Sequence, residues 1–389
     1  MKRLLPLLLL ASCNRTPDDP SLPQWSDEQI ASLKHWAEAA PLDALPRFDT
    51  AALDEAASGW DRAITRRAAT ELAEQLANAH LRGCAAPGER STWQIEDNAD
   101  SVGLRSRLKL ALEGENNLDS FFASLRPAHP QYAGLQAAYA AETDPARRLV
   151  LARNLERWRW MPQSLGEDYV LVNVPGFEVG LWRNGALERS WPAVVGKTST
   201  PTPTFASEIN SVTFNPWWEV PPSIVREGGI AGRRGYVRTK SGRFRQPPGP
   251  RNALGMMKVE MPNRHAVYLH DTPARALFDR PERSFSSGCI RVEDPLALAV
   301  LVLDDPRWDR PALEAAIATG ETRQVPLRIP VPVLIVYLTS IADPSGTVHF
   351  FRDVYGRDAP LLAALNGPVR LELPVHVGAA GAPARPAAL

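Results

Sequence analysis

The 389-residue chain has little of what announces several common protein classes. It carries three cysteines, Cys13, Cys84 and Cys289, which are too few for a disulfide framework or a Cys-rich zinc module. No CxxC pair and no HExxH segment occurs, so no metal ligand set is expected. There is no surplus of either charge: 44 basic side chains meet 44 acidic ones, which argues against a dedicated nucleic-acid binder. The N-terminal apolar run, Leu4 to Leu10, is far short of the ~20 residues that span a bilayer. Val195-Gly196-Lys197-Thr198 looks like the end of a phosphate-binding loop, but Trp191 stands where that loop needs its first glycine, so ATP binding is not expected. With 44% hydrophobic and 23% charged residues, general disorder is excluded, and the length predicts two folded units.

The ends have their own character. Lys2 and Arg3 precede the apolar run, and Ala11, Ser12 and Cys13 follow it, the pattern of an export signal over residues 1–12. Leu10-Ala11-Ser12-Cys13 is also similar to a bacterial lipobox, which implies cleavage before Cys13 and acylation of its thiol. At ~0.8 kcal/mol per buried CH₂, several acyl chains would hold a soluble body at a membrane surface. An ordinary secretory signal with a chance cysteine is the alternative. Residues 13–25 then form a tether, and the Ala-, Pro- and Gly-rich stretch 367–389 a disordered tail. These features predict an exported, periplasmic, membrane-anchored protein, with Asn14 favouring the outer membrane.

Between the ends, residues 26–162 read as a helical scaffold. Ser26 and Gln29 fit a capping box, and Ile64, Ala68, Leu72, Leu76 and Ala79 recur at helical spacing until Gly83. Asp144-Pro145 starts another helix that ends at Met161-Pro162. His35, His80 and His129 are isolated, and Cys84 is a bystander. From residue 163 to 366 the period becomes that of strands: Tyr169 to Val174, Phe177 to Trp182, Trp191 to Val195, Ser211 to Phe214, Val267 to His270 and Val331 to Thr339. Asp343-Pro344-Ser345-Gly346 makes a hairpin turn, and Pro295 to Leu303 is the one clear helix. The fold class expected is α+β, a helical scaffold followed by a mainly β, sandwich-like domain. The eight Lys or Arg between Arg226 and Arg251, against Glu227 alone, suit a solvated loop or a positive cleft edge for carboxylate-bearing substrate or anionic lipid.

Chemistry concentrates in Val267-Tyr268-Leu269-His270-Asp271-Thr272-Pro273 and Ser286-Ser287-Gly288-Cys289-Ile290-Arg291-Val292. A His ends one strand, and a Cys follows in a tight turn before another. A nearby imidazole lowers a thiol's pKa by stabilising the ion pair, and a glycine before the Cys lets backbone amides approach a carbonyl under attack. A buried Cys with an unrelated His fits the same residues. If Leu269 to Asp271 is extended, Asp271 faces away from His270, and a backbone carbonyl is the better orienter of the ring.

His270, Ser286, Ser287, Gly288, Cys289 and Arg291 resemble the catalytic motif of L,D-transpeptidases with a YkuD-type domain, in the YcbB-like branch. Arg157 to Pro162, Val172 to Pro175, Val195 to Lys197, Thr200 to Pro203, Pro248 to Gly255 and His270 to Pro273 are similar to that branch in the same order. The peptidoglycan-binding module that interrupts the scaffold there is not evident here, and the cap from Ile224 to Arg245 looks shorter. The resemblance implies acyl transfer on peptidoglycan stem peptides, donor and acceptor, with 3-3 cross-links as product and no cofactor. It implies Cys289 as nucleophile, His270 as base, Ser287 and Gly288 at the oxyanion, and Arg291, Tyr268, Ser286, Trp218 and Asn252 toward substrate. Arg291 could instead pair with an acid that holds the loop, and Trp218 could be core. Carbapenem β-lactams are expected inhibitors. The same acyl-enzyme could attach a protein to peptidoglycan or hydrolyse cross-links, and a non-catalytic scaffold lipoprotein is a further reading.

Overall fold

The computed structural model describes residues 21–96, 103–114, 117–226, 230 and 235–365. The expected signal, Cys13, most of its tether and the tail 367–389 lie outside the described residues. The described residues divide into two compact units, 21–81 with 103–126, and 82–96 with 127–365.

The first unit is helical: Asp27–Ala39, Ala51–Ser58, most of Arg62–Arg82, Leu104–Glu113 and Leu118–Ala123. The capping box forms as expected, with Gln29 N–H donating to Ser26 Oγ at 3.2 Å and Ser26 N–H to Gln29 Oε1 at 2.9 Å. The long helix buries Ala69, Leu72, Ala73, Leu76 and Ala77, while Ile64 of the expected stripe is exposed. The buried stripe therefore begins one turn later than the sequence spacing suggested.

The second unit begins with two helices, Pro130–Ala141 and Pro145–Arg159. Pro162 marks the change from helix to strand, but both helices already pack in this unit. Asn154 Nδ2 donates to Thr339 Oγ1 at 2.9 Å, and Thr339 N–H to Asn154 Oδ1 at 2.8 Å. Eight strands then build the main ring, β1 Tyr169–Asn173, β2 Glu178–Arg183, β3 Ala186–Gly196, β4 Thr204–Phe214, β5 Met257–Glu260, β6 Leu269–His270, β7 Ile290–Val292 and β8 Arg323–Val336. They pair in the order β4-β8-β1-β2-β3-β7-β6-β5, and β5 pairs β4 again, so the layers expected of a sandwich are joined into a closed ring. One face is the core: Val170, Val172, Val179, Val195, Val212, Val259, Leu269, Ile290 and Ile335 are all fully buried. Pro295–Leu303 is helical as expected, and a second helix, Arg310–Ala318, adds to it. Asp309 caps that helix by accepting from Ala312 N–H at 2.9 Å, a start signal the strand-dominated reading passed over.

His129 caps the helix Pro130–Ala141. Its Nδ1 accepts from Gln131 N–H at 3.1 Å, which fixes the neutral tautomer with Nε2–H directed to Tyr169 Oη at 2.6 Å. The ring stacks on Trp158 with centroids 4.4 Å apart, and burial brings its pKa down to about 4. The unfolded residue titrates near ~6.5, so between the two values the unfolded state binds the extra proton. Stability is therefore lost as pH falls from ~6.5 toward ~4, by about 1–3 kcal/mol for this group. Denaturant unfolding at pH 7 and at pH 4.5 checks this: His129→Asn, which keeps a cap without a titrating ring, should lose less stability on acidification than the parent chain. Equal losses would contradict it.

Candidate active site

The two motif segments meet because β6 and β7 pair in parallel, Leu269 opposite Ile290 and His270 opposite Arg291, with Ile290 N–H donating to Tyr268 O at 3.1 Å. Side chains alternate along a strand, so the core takes Leu269 and Ile290. Tyr268, His270, Cys289 and Arg291 are thereby placed together on the outer face. On the other side of β6, Lys258 of β5 stands opposite His270 and joins them.

The nucleophile turn is tied from within. Gly288 has φ 115°, a conformation open to glycine. Ser286 Oγ donates to Cys289 O at 2.5 Å and accepts from Gly288 N–H at 3.1 Å. Ser286 is buried, so it shapes the turn instead of meeting substrate as expected. The Gly288 amide is likewise engaged, which corrects its expected place at the oxyanion. Among the described residues, the amides of Ser287 and Cys289 have no hydrogen-bond acceptor, and these are the two donors the turn leaves open. The Thr-Pro-Thr-Pro segment clamps the turn from outside. Thr202 Oγ1 donates to Gly288 O at 2.9 Å and accepts from Gly196 N–H at 2.9 Å, while Thr200 Oγ1 donates to Ser286 O at 3.2 Å. Gly196 permits the approach, since a Cβ there would lie 2.2 Å from Thr200 O. Thr202 was not singled out as a site residue, although the Thr-Pro repeat was its signal.

The His270 ring is buried, and its Nδ1 lies 2.5 Å from the Asp271 carbonyl. A carbonyl only accepts, so Nδ1 carries the proton of the neutral ring and Nε2 is left basic. The Asp271 carboxylate faces the other way: Oδ2 accepts from Met256 N–H at 2.8 Å, and Oδ1 lies 3.4 Å from Arg275. Gly255, at φ 65°, leaves room for it, because a Cβ would sit 2.2 Å from Oδ2. Burial first, then the Arg291 charge, brings the His270 pKa down to about 3, opposed in part by hydrogen bonds to the Asp271 and Leu254 backbone.

Burial also pushes the Cys289 thiol up, against the Tyr268 amide and hydroxyl and the charges of Arg291 and Lys258, which favour the thiolate. Burial thus favours the neutral form of both the thiol and the imidazole. The thiol donates to the Ala266 carbonyl at 3.7 Å, and burial works against the expected ion pair. Tyr268 is packed edge-on to the His270 ring at 5.8 Å, and its hydroxyl interacts with both Cys289 and the Trp218 side chain. Among the described residues Arg291 makes no ion pair, its buried Nε has no acceptor, and no acid holds the loop through it.

Two further candidates lie behind the surface. Trp218 packs with Val220, Ile230 and Leu254 in a small core beneath the three-stranded cap Trp218–Glu219, Val237–Arg238 and Phe244–Gln246. Asn252 is fully buried, donating to Pro216 O at 3.0 Å and Pro247 O at 2.9 Å and accepting from Leu254 N–H at 2.8 Å. It holds the loop and does not face open space as a substrate contact would. In the basic stretch, Arg245 lies over the Trp217 ring at 4.0 Å, while residues 227–229 and 231–234 are outside the described residues. Lys258 carried no sequence signal; only the register brings it to the site.

Residues 167–330 match the family model described as the L,D-transpeptidase catalytic domain, YkuD. The chain is 31% identical over 246 residues to a curated Haemophilus influenzae protein named "Putative L,D-transpeptidase", covering 56% of this chain and 50% of that one. The chain thus spans about half the length of the curated relative it matches. Among solved structures it is similar to an L,D-transpeptidase from Mycobacterium smegmatis (15% identity, 44% of this chain and 58% of that chain, TM-score 0.27). It is also similar to L,D-transpeptidase 3 from Mycobacterium tuberculosis in complex with a faropenem-derived adduct (16% identity, 43% and 60%, TM-score 0.25). The match to the YkuD-type L,D-transpeptidase catalytic domain thus extends over residues 167–330, the segment that holds the strands and the nucleophile turn.

Burial that raises the Cys289 thiol makes a kinetic prediction. The rate of Cys289 alkylation by iodoacetamide should climb through neutral pH and reach half its maximum above the ~8.5 of an ordinary thiol. Peptide mass spectrometry separates Cys289 from Cys84, whose thiol burial and the Glu156 charge push up to about 12. A rate already at its plateau below pH 7 would reveal a thiolate–imidazolium pair and contradict the reading.

Proposed function

We propose that the chain is a peptidoglycan L,D-transpeptidase working through a Cys289 thioester. The observation that carries this reading is the convergence of Cys289, His270, Tyr268 and Arg291 on one face beside two unused amides. As Cys289 Sγ attacks the carbonyl of the third stem residue, His270 Nε2 takes the thiol proton. The bond to the terminal D-Ala breaks, and His270 returns the proton to the departing amine. The amine of a second stem then attacks the thioester, gives its proton to His270, and Sγ leaves and recovers it, so a 3-3 cross-link forms and the thiol is restored. The amides of Ser287 and Cys289 hold the oxyanion, a contribution of about 3 kcal/mol for each donor of this kind. Arg291 offers positive charge to a substrate carboxylate, with Lys258, itself paired with Glu260 at 2.7 Å, beside it.

The rest of the reading is organisational. The chain is exported, lipidated at Cys13 and held at a membrane facing the periplasm. It belongs to the YcbB-like branch without a peptidoglycan-binding module, and the N-terminal helical unit serves as scaffold. The motifs quoted from the sequence support this, and no cofactor is required by the chemistry.

Incubating purified tetrapeptide muropeptides with soluble protein lacking residues 1–24 tests the reaction. Mass spectrometry should show 3-3 dimers and free D-Ala, with neither formed by Cys289→Ala. Loss of pre-existing dimers instead would mean hydrolysis, and identical products from Cys289→Ala would remove the nucleophile from the account. A carbapenem should add one drug mass to the Cys289 peptide; no adduct after long incubation would count against an activatable thiol.

A further inference from the structure

The outer face that bears Cys289 continues across β3, β2 and β1 to a second concavity of about 280 Å³. Register places Glu178 opposite Pro192, and Pro192 shares its side of β3 with Val194, the partner of Arg291. The cavity and the nucleophile are therefore on the same side of the sheet. Gly180 keeps the floor open, since a Cβ there would come within 3.0 Å of Leu187 Cδ1. Leu171, Leu187 and Phe351 give the cavity apolar walls, while its polar groups are chiefly acceptors and no Lys or Arg lines it.

Two of those groups, Glu178 and Gln131, point to a ligand, and Asp343, whose oxygens are taken up by Ser345, Thr347 and His349, adds its charge. The Glu178 carboxylate makes no hydrogen bond or ion pair among the described residues, although its charge reaches Arg283. Asp343 is held ionised by Ser345 and by His349 Nε2 at 2.8 Å, which bring its carboxyl down to about 2. Gln131 is only 7% exposed, yet its carboxamide makes no hydrogen bond and its Oε1 is buried without a partner. A buried amide left unpaired is costly, and one that lines a cavity is satisfied by whatever enters.

We infer that this cavity binds a primary ammonium on a short aliphatic chain, as in the side chain of a lysine or another diamino acid. The ammonium would sit between Glu178 and Asp343, its chain along Leu171, Leu187 and Phe351, with a polar atom beside it reaching Gln131. The inference is independent of acyl transfer, because it uses no residue of the nucleophile site.

Saturation-transfer NMR on the full chain with Nα-acetyl-L-lysine methylamide tests it, with the uncharged isostere Nα-acetyl-L-norleucine methylamide as comparison. Saturable binding of the lysine derivative, at least tenfold weaker for the norleucine derivative, is expected. Glu178→Gln should weaken it about tenfold, and Cys289→Ala should leave it unchanged. Should Glu178→Gln fold poorly, Gln131→Leu keeps the apolar packing and is expected to weaken binding severalfold. No saturable binding by the folded parent chain, equal binding of the two derivatives, or binding unaffected by a folded variant would each overturn the inference.

Discussion

The site depends on one short contact, the parallel pairing of Leu269-His270 with Ile290-Arg291. Parallel strands register like with like, so a single pairing decides which four side chains face outward together and which two seal the core. A slip of β7 by one residue would send Arg291 inward and turn Ile290 out, at the cost of burying a charge and exposing an aliphatic side chain. The register is held by that asymmetry, because Leu269 and Ile290 fit the interior of the ring and Arg291 does not. The Thr202 and Ser286 hydroxyls then fix the turn that precedes β7, each bridging two backbone groups.

Burial governs the chemistry of the groups so assembled. It disfavours the charged form of both partners, raising the thiol and lowering the imidazole, and the positive charge of Arg291 works on the two in opposite senses. The same guanidinium that favours a thiolate disfavours an imidazolium beside it. In such a site burial opposes charge separation, and a carboxylate-bearing substrate would offset the cations. The Asp271 backbone carbonyl suits this better than a carboxylate would, because it fixes the tautomer without adding negative charge.

Much of this was legible in the sequence. Alternating patterns located the strands, the capping residues Ser26 and Asp144 started helices where they form, and the strand geometry of Leu269 to Asp271 correctly turned the Asp271 side chain away from the ring. What was not legible depends on distance in the fold. Lys258 enters the site through pairing with a strand twelve residues away, Thr202 through a loop more than eighty residues from Gly288, and neither spacing has a periodic trace. Ser286 and Asn252 read as substrate contacts because polar residues near a nucleophile usually face it; here each spends its polar atoms on backbone, which no local pattern discloses. The ring closure through β4 and β5 is likewise a long-range fact. Alternation alone suits a sandwich and a closed ring equally well.

The central claim is that Cys289 becomes covalently acylated by a stem peptide. Intact-protein and peptide mass spectrometry of the chain, quenched in acid shortly after mixing with a disaccharide-tetrapeptide in the absence of an acceptor, tests it directly. The account predicts a hydroxylamine-sensitive adduct on the Cys289 peptide equal in mass to the disaccharide-tripeptide acyl group, with free D-Ala released in step. D-Ala release or dimer formation by a protein in which Cys289 stays available to alkylation throughout would contradict it.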